Sequence, residues 1–213
     1  MPWYKTMSFP RIFMMLLASA ACMLLVGGCV YAGFAAAVLD PPKVEALYVP
    51  PQTPMLILVE NRENPEMSVV QSDEIISYIM DDLVAYKVCP LVDRKKFEQL
   101  RDRNEKDLSK MTISEIGKAV GADQVLYVDV KRSSVGGIEG VPVHGRIDIA
   151  MRVVDVKTGN TMFPKPMVGE HQMSFETSMT SGGTDQVEMR RALAASAGTG
   201  VGRVLHTFYP EGR

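Results

Sequence analysis

One continuous segment, Thr112 to Val130, constrains the fold of this chain more than any other. Its first residues, Thr112–Glu115 (TISE), have the pattern of a capping box, in which a hydroxyl and a carboxylate satisfy backbone amides at a helix start. Gly121 follows the helical stretch at the position where a residue in the left-handed conformation often ends a helix. The aliphatic run Val125–Val130 then predicts a strand. A helix joined to a buried strand by so short a turn predicts an α/β domain.

The residues before this segment predict further strands and helices. Met55–Glu60 is a continuous apolar run, which is typical of a strand buried on both faces. Asp73–Lys87 carries an amphipathic helical stripe, with Ser72 as its expected cap. Val88–Val92 predicts a short strand, and the charged residues that begin at Asp93 predict a solvated helix.

The C-terminal half predicts antiparallel strands and a long last helix. Ser133–Gly145 is rich in glycine and predicts a loop, and the alternation of apolar and polar residues in Arg146–Val156 is typical of a half-exposed strand. A second such strand covers 171–177, and Thr184 or Asp185 is expected to cap the last helix. Its apolar stripe has steps of four residues with one step of three: Met189, Leu193, Ala197, Val201, Leu205 and Phe208.

A row of small residues, Ala194, Gly198 and Gly202, lies beside that stripe. Each glycine costs a helix interior about 1 kcal/mol relative to alanine, so the row needs a reason. Three explanations stay open: close approach to the sheet, packing against a second protomer, or a break of the helix near Gly198.

The predicted fold class is therefore α/β (α+β), a single two-layer or three-layer domain. It has a mixed sheet of about five strands flanked by helices and a long C-terminal helix. We expect this domain to cover residues 55–213, after a signal segment at 1–28 and a lipidated, proline-rich stretch at 29–54. Asp40–Pro54 holds five prolines, which predicts either a stiff tether or a strap along the domain surface.

The N-terminal stretch Ile12–Cys29 determines where the chain works. A basic start, an apolar run and small residues before a cut site are typical of a secretory signal. The stretch resembles a bacterial lipoprotein signal peptide, whose lipobox ends at an obligatory cysteine and is matched here by Val26, Gly27, Gly28 and Cys29. The resemblance implies that Cys29 becomes the lipidated N-terminus and that its acyl chains hold the protein in the membrane.

Two other interpretations of this stretch stay open. Apolar residues resume after Cys29, so Ile12–Leu39 is long enough to be an uncleaved transmembrane helix. Alternatively, Ser19–Ala21 is an ordinary cleavage site that is followed by Cys22. All three interpretations place the C-terminal domain outside the cytoplasm, facing the periplasm or the exterior.

The charge of the chain argues against nucleic acid as a partner, and its cysteines argue against an internal disulfide. The formal net charge is −2 with mixed signs, whereas a nucleic-acid-binding domain would carry a basic stripe. Cys22 leaves with the signal and Cys29 carries the lipid, so Cys89 has no partner for a disulfide. We interpret Cys89 as a small buried hydrophobic residue.

No pattern of catalytic, metal-binding or cofactor-binding residues stands out. The sequence has no nucleophile elbow, zinc-protease or phosphate-loop motif, and His206, like the other two histidines, has no second ligand at metal spacing. We therefore predict a protein that is not an enzyme and needs no cofactor. The alternative is an envelope hydrolase that brings together three of these side chains: Asp81, Asp148, Asp155, His144 and His171.

Several core segments resemble one group of envelope lipoproteins: MLILVEN, KVCPLVDRKKFEQL, ISEIGKAVGADQVLYVDV and IAMRVVDVKTGNTMF. The turn Gly121–Tyr127 and the V-x-D-x-x-T-G pattern of Val153–Gly159 resemble the group most. It includes the curli-secretion lipoprotein CsgG and the penicillin-binding-protein activator LpoB, and shares its α/β core with the N-terminal domain of TolB. The resemblance implies a domain that binds proteins and has no shared catalytic residues.

The sequence thus predicts a lipid-anchored envelope protein whose α/β domain is an interaction or assembly module. Its expected partners are the membrane, through the lipid, and another envelope protein, with no nucleic acid. A homo-oligomer built through Ala194, Gly198 and Gly202 is a further alternative.

Overall fold

The computed structural model describes residues 43–61, 69–103, 105–136, 143–165, 169–179 and 186–210. The chain divides into two compact units by its internal contacts. One unit is Glu45–Phe208, and the other consists of Met1–Val44 and Tyr209–Arg213. Of the second unit, only residues 43, 44, 209 and 210 are described. The helices and strands that the structure describes all lie in Glu45–Phe208.

A mixed sheet of five strands forms the centre of this unit. β1 (Met55–Glu60) runs parallel to β2 (Gln124–Gly136), and β2 is antiparallel to β3 (Val143–Asp155). Along its other edge, β3 pairs with β4 (Thr161–Phe163) at one end and with β5 (His171–Met179) at the other. One side of the sheet therefore ends in β1, and the other side ends in β4 and β5.

The described helices are α1 (Val69–Ala85), α2 (Arg94–Arg103), α3 (Glu105–Leu108), α4 (Ile113–Val120) and α5 (Gln186–Leu205). α1 and α5 pack on each other and cover one face of the sheet. Full burial of each large aliphatic side chain contributes roughly 1.5–3 kcal/mol, so this cluster supplies most of the core. Its helical members include Ile75, Ile79, Leu83, Leu193, Ala197 and Val201.

The opposite face of the sheet is only partly covered. There α4 buries Ile116 and Val120 against β1 and β2, and Phe97 and Leu100 of α2 pack on the same cluster. Toward β5 the outward-facing side chains are exposed, as at Ser174. The domain thus has three layers on the β1 side and two layers on the β5 side. The predicted α/β class, with a mixed five-stranded sheet, flanking helices and a long C-terminal helix, is confirmed.

The segment Thr112–Val130 folds as predicted. Thr112 accepts a hydrogen bond from the Glu115 amide, and the Glu115 carboxylate accepts one from the Thr112 amide at 2.7 Å. Gly121 has φ of 76°, a left-handed conformation that ends α4 before β2 begins. The hydrogen bonds at Thr112 also lower the pKa of Glu115.

Three local predictions are wrong. Val88–Val92 is not a strand, because the chain makes only the single bridge Met55–Leu91 before it turns into α2 at Arg94. Ser72 does not cap α1, because the helix already begins at Val69. In its first turn, Gln71 is buried and donates to the Ser133 hydroxyl of β2 at 3.2 Å.

The third wrong prediction is the loop at Ser133–Gly145. β2 continues to Gly136 and β3 starts at Val143, while residues 137–142 lie outside the described ones. Gly145 lies in β3, where it pairs with Val135 and Thr177. Its lack of a side chain suits the close approach of α5, since a Cβ there would lie 2.8 Å from Leu193 Cδ1. The expected caps of the last helix, Thr184 and Asp185, also lie outside the described residues.

The second half of the proline-rich segment is a strap rather than a free tether. The Leu47 and Tyr48 amides both donate to the Val204 carbonyl at the end of α5, at 2.9 and 3.1 Å. Buried Gln124 donates to the carbonyls of Pro51 and Thr53, each at 2.9 Å. These bonds hold the strap against the domain up to the start of β1. Among the described residues, none of the helices combines the length and apolarity that a membrane span requires.

Candidate functional site

The lipobox residues Val26, Gly27, Gly28 and Cys29 lie outside the described residues. Lipidation of Cys29 therefore stays a prediction from the sequence.

The small-residue row on α5 faces α1 of the same chain. A Cβ on Gly198 would lie 2.5 Å from the Tyr78 Cβ and 3.0 Å from the Ile75 carbonyl oxygen, so the glycine lets the two helices approach. Because Ala194, Gly198 and Gly202 are buried inside the domain, the hypothesis of a homo-oligomer built through them is wrong. Close approach is the correct explanation, with α1 rather than the sheet as the neighbour. The helix does not break.

The acids and histidines of the hydrolase alternative do not meet in one pocket. Asp81 is exposed on α1, whereas Asp148 lies on the outer face of the sheet and bonds to Ser174 and Arg146. His144 and His171 lie near opposite ends of the β3–β5 ladder, seven steps of roughly 3.3 Å apart. Within the described ranges, no group of three or more His, Cys, Asp or Glu side chains could hold a metal ion.

Two of these carboxyls are held in the charged form. The Ser174 hydroxyl, and then Arg146, lower the pKa of Asp148. The Thr158 side chain and backbone amide lower the pKa of Asp155, which closes the turn after β3. A carboxyl with a lowered pKa is a poor general acid.

Cys89 has the buried, unreactive character expected of it. It is 8% exposed, and its thiol lies 3.9 Å from the Met55 sulfur. Burial raises the pKa of Cys89 to about 11, so the thiol stays neutral and is a weak nucleophile at neutral pH.

An Asp–His pair that the sequence analysis missed joins α1 to the end of α5. His206 Nε2 lies 2.6 Å from Asp82 Oδ2, and Nδ1 lies 3.0 Å from the Thr207 carbonyl oxygen. The Tyr86 ring stacks on the imidazole with centroids 3.8 Å apart. Both ring nitrogens are occupied, which leaves none to act as a base toward a nucleophile. The two residues are 124 positions apart, and no local pattern marks the pair.

The outer edge of β1 is the next feature that bears on binding. Met55 uses both of its backbone groups at this edge: its amide donates to Pro90 and its carbonyl accepts from Val92, each at 2.9 Å. In a parallel ladder every second residue faces the same neighbour, so Ile57 and Val59 also direct their amides and carbonyls to this edge. No other described segment pairs with them there.

A groove runs along this open edge between α1 on one side and α2 to α4 on the other. Its wider part has a volume of about 490 Å³ and adjoins a pocket of about 30 Å³ near Met55. The walls are largely apolar, and four residues line both parts: Asp73, Ile76, Phe97 and Arg101.

Ion pairs connect the two walls of the groove. Arg94 of α2 pairs with Asp73 of α1 at 2.5 Å and with Glu98 at 2.9 Å. The smaller pocket near Met55 is thus lined by two acids, Asp73 and Glu98, and by two bases, Arg94 and Arg101. The groove offers backbone hydrogen-bonding groups and apolar walls, and the charges that line its smaller pocket balance. This combination suits binding rather than acid–base chemistry.

No family model matches the sequence, and no curated protein matches it. Among solved structures, lipoprotein GNA1162 from Neisseria meningitidis has a TM-score of 0.47 at 15% identity, over 64% of this chain and 90% of that chain. The C-terminal domain of LpoB from Salmonella enterica has a TM-score of 0.36 at 18% identity, over 67% and 87%. A PelC dodecamer from Paraburkholderia phytofirmans has a TM-score of 0.34 at 11% identity, over 75% and 94%.

These likenesses are too distant to give the chain a family or an activity. They include one protein named as a bacterial lipoprotein and one member of the group that the sequence resembles, LpoB. The narrower resemblance to CsgG stays a prediction.

Proposed function

We propose that this chain is a lipid-anchored protein of the cell envelope whose α/β domain binds another envelope protein without catalysing a reaction. The open edge of β1 with its apolar groove carries the proposal. At this edge, the described residues leave backbone hydrogen-bonding groups of a strand next to apolar side chains. Proteins commonly recognise extended peptides through such an edge.

The character of the other polar clusters supports a binding role. Asp148 and Asp155 are held by neighbouring hydroxyls, the imidazole of His206 has a partner at each nitrogen, and Cys89 is a buried neutral thiol. Asp155 bonds within the turn after β3, Asp148 bonds across from β3 to β5, and His206 joins the end of α5 to α1.

The anchor rests on the lipobox that ends at Cys29. Acylation there would hold the domain at the membrane through the residues that lie between Cys29 and the strap, which begins at Leu47. Metabolic labelling with a clickable fatty acid tests this part of the proposal. We expect label on the wild-type chain and on a Cys22→Ala variant, and none on Cys29→Ala. Undiminished label on Cys29→Ala would refute lipidation at this residue.

Binding to an envelope protein is tested separately by crosslinking in intact envelopes with a lysine-reactive reagent, followed by purification of the full-length chain. We expect a reproducible partner protein whose crosslinks map to lysines of the domain, such as Lys95, Lys96 or Lys110. Recovery of uncrosslinked protein alone would refute the proposed function.

A further inference from the structure

The buried pair of Asp82 and His206 permits an inference about how the strap is held. We propose that this pair is a pH-sensitive clasp, which holds the start of the strap against the end of α5 and loosens when it loses a proton. The pair joins α1 to the residue directly after α5, the helix whose Val204 carbonyl accepts from the strap amides. If Cys29 carries the lipid, opening of the clasp would lengthen the chain between membrane and domain. That consequence rests on the proposed anchor, whereas the clasp itself does not.

The hydrogen bonds of the pair show how many protons it holds. His206 Nδ1 lies 3.0 Å from the Thr207 carbonyl oxygen, which has no proton to give, so Nδ1 is the donor. Nε2 lies 2.6 Å from Asp82 Oδ2, and this contact also needs a proton, on either the imidazole or the carboxyl. A neutral imidazole beside an ionised carboxylate has only one proton for these two contacts. The observed geometry therefore fits the pair that holds two protons and is neutral as a whole.

The surroundings of the pair keep water from replacing either bond. The side chains of His206 and Asp82 are 8% and 12% exposed, and the Tyr86 ring covers the imidazole at a centroid distance of 3.8 Å. Gly202 makes room for the carboxylate, because a Cβ there would lie 2.7 Å from the Asp82 Cγ. A buried acceptor that loses its donor costs free energy, so loss of one of the two protons destabilises this contact.

Thr207 connects the pair to the strap. Its carbonyl is the acceptor of His206 Nδ1, and its hydroxyl donates to the Glu45 carboxylate, two residues before the strap, at 3.0 Å. When one proton leaves and the other stays on Nε2, the lone pair of Nδ1 faces the Thr207 carbonyl and repels it. The residue that holds Glu45 then shifts, and the neighbouring bonds from the Leu47 and Tyr48 amides to the end of α5 weaken.

The direction of the pH effect distinguishes the clasp from other titrating groups. Besides Asp82, the charged or titratable groups that the structure shows around the imidazole are Tyr86, Glu45 and Arg203. The Arg203 guanidinium lies 4.8 Å from the centroid of the Phe208 ring, which meets the imidazole edge-on. Stabilisation by a bound proton is present in acid and is lost as the pH rises. Protonation of Glu45 would weaken its bond from the Thr207 hydroxyl in acid, which is the opposite direction.

Residue-resolved hydrogen exchange on the full-length protein in detergent, from about pH 5 to about pH 9, tests the clasp. Each exchange rate is divided by the intrinsic rate of that amide at the same pH, which gives its opening equilibrium. We expect opening at the Leu47 and Tyr48 amides to increase about tenfold as the pH rises, because a buried hydrogen bond is lost.

Two glutamine substitutions separate His206 from other histidines. His206→Gln keeps a donor toward Asp82 but does not titrate, so opening of the two strap amides should lose its dependence on pH. His144→Gln is the matched control, because His144 is exposed on β3, and it should keep the wild-type dependence. The proposal is overturned if wild-type opening is independent of pH or decreases as the pH rises. Retention of the wild-type response by His206→Gln would also overturn it.

Nitrogen NMR of the imidazole tests the proton count in the wild-type chain. The protein is labelled with ¹⁵N-histidine, and the His206 signals are identified by their absence from the His206→Gln spectrum. At about pH 6, we expect Nδ1 of His206 to carry a proton, and we expect that proton to be lost over the pH range in which the strap amides open. A lone pair on Nδ1 at that pH in the folded protein would overturn the proposal, whatever the exchange data show.

Discussion

At the scale of single residues, glycines and hydrogen-bonded acids determine which surfaces meet. The sequence marks Gly198 as unusual within a helix, but it does not show which neighbour requires it. The structure identifies α1, whose Tyr78 and Ile75 leave no room for a side chain. Long-range neighbours of this kind cannot be read from a local pattern. The same limit explains why the Asp82–His206 pair was missed.

Gly198→Ala should destabilise the domain. Overpacking costs typically 1–3 kcal/mol, and the neighbours here are a Cβ and a backbone oxygen that cannot move aside. The better helix propensity of alanine returns only about 1 kcal/mol. Chemical denaturation measures the difference. Gly136→Ala is the control, because a Cβ there meets nothing within 4 Å, and it should change stability by less than about 0.5 kcal/mol. Equal stability of the two variants would contradict the close helix contact.

Asp148→Asn should destabilise the protein at neutral pH and lose this effect in acid. The folded-state pKa of Asp148 lies below its ordinary value of 3.8, because Ser174 and Arg146 bond to the carboxylate. Stability from a lowered pKa is present above the ordinary value and disappears as the pH falls through the folded-state value. Denaturation of both proteins between pH 7 and pH 3 measures this.

The matched control for that series is Asp107→Asn. The Asp107 side chain is 74% exposed and pairs with Lys110 at 3.6 Å, so its loss should have little effect at any pH. A destabilisation by Asp148→Asn that is independent of pH would show that the carboxylate charge does not contribute.

At the scale of elements, the sequence predicts helices and buried strands well where local signals agree. The capping box at Thr112, the left-handed Gly121 and the aliphatic strand after it all point to one arrangement, and the structure has it. Prediction failed where tertiary contacts override the local signal. Val88–Val92 looks like a strand but makes a single bridge, and Gly145 looks like a loop residue but lies in β3 under α5.

Thr112→Ala should destabilise the domain by about 1 kcal/mol, since it removes the side chain that accepts from the Glu115 amide. Glu115→Gln is the control, because glutamine also completes a capping box and should cost much less. Thermal unfolding of the three proteins measures both effects. If Glu115→Gln costs as much as Thr112→Ala, the charge of Glu115 rather than the box stabilises the helix start.

At the scale of the whole molecule, the chain combines a strap with a domain whose β1 edge lies beside a groove, and the sequence predicts a signal before them. The fold class could be predicted from hydrophobic periodicity, whereas the groove could not. It depends on where the chain leaves the β1 edge after Leu91 and on how α1 and α2 flank that edge. The sequence predicts α1, α2 and β1, but the distance between the two helices is set by tertiary packing, which no local pattern shows.

The central claim is that the domain binds an envelope protein at the β1 groove. The most direct test places a photoreactive phenylalanine analogue at three positions of the full-length chain in living cells. Position 97 lies in the groove, and positions 84 and 176 lie on exposed surfaces away from it. The account predicts a partner crosslinked from position 97 at several times the yield from the other two. Equal yields from all three positions, or capture from position 176 alone, would contradict it.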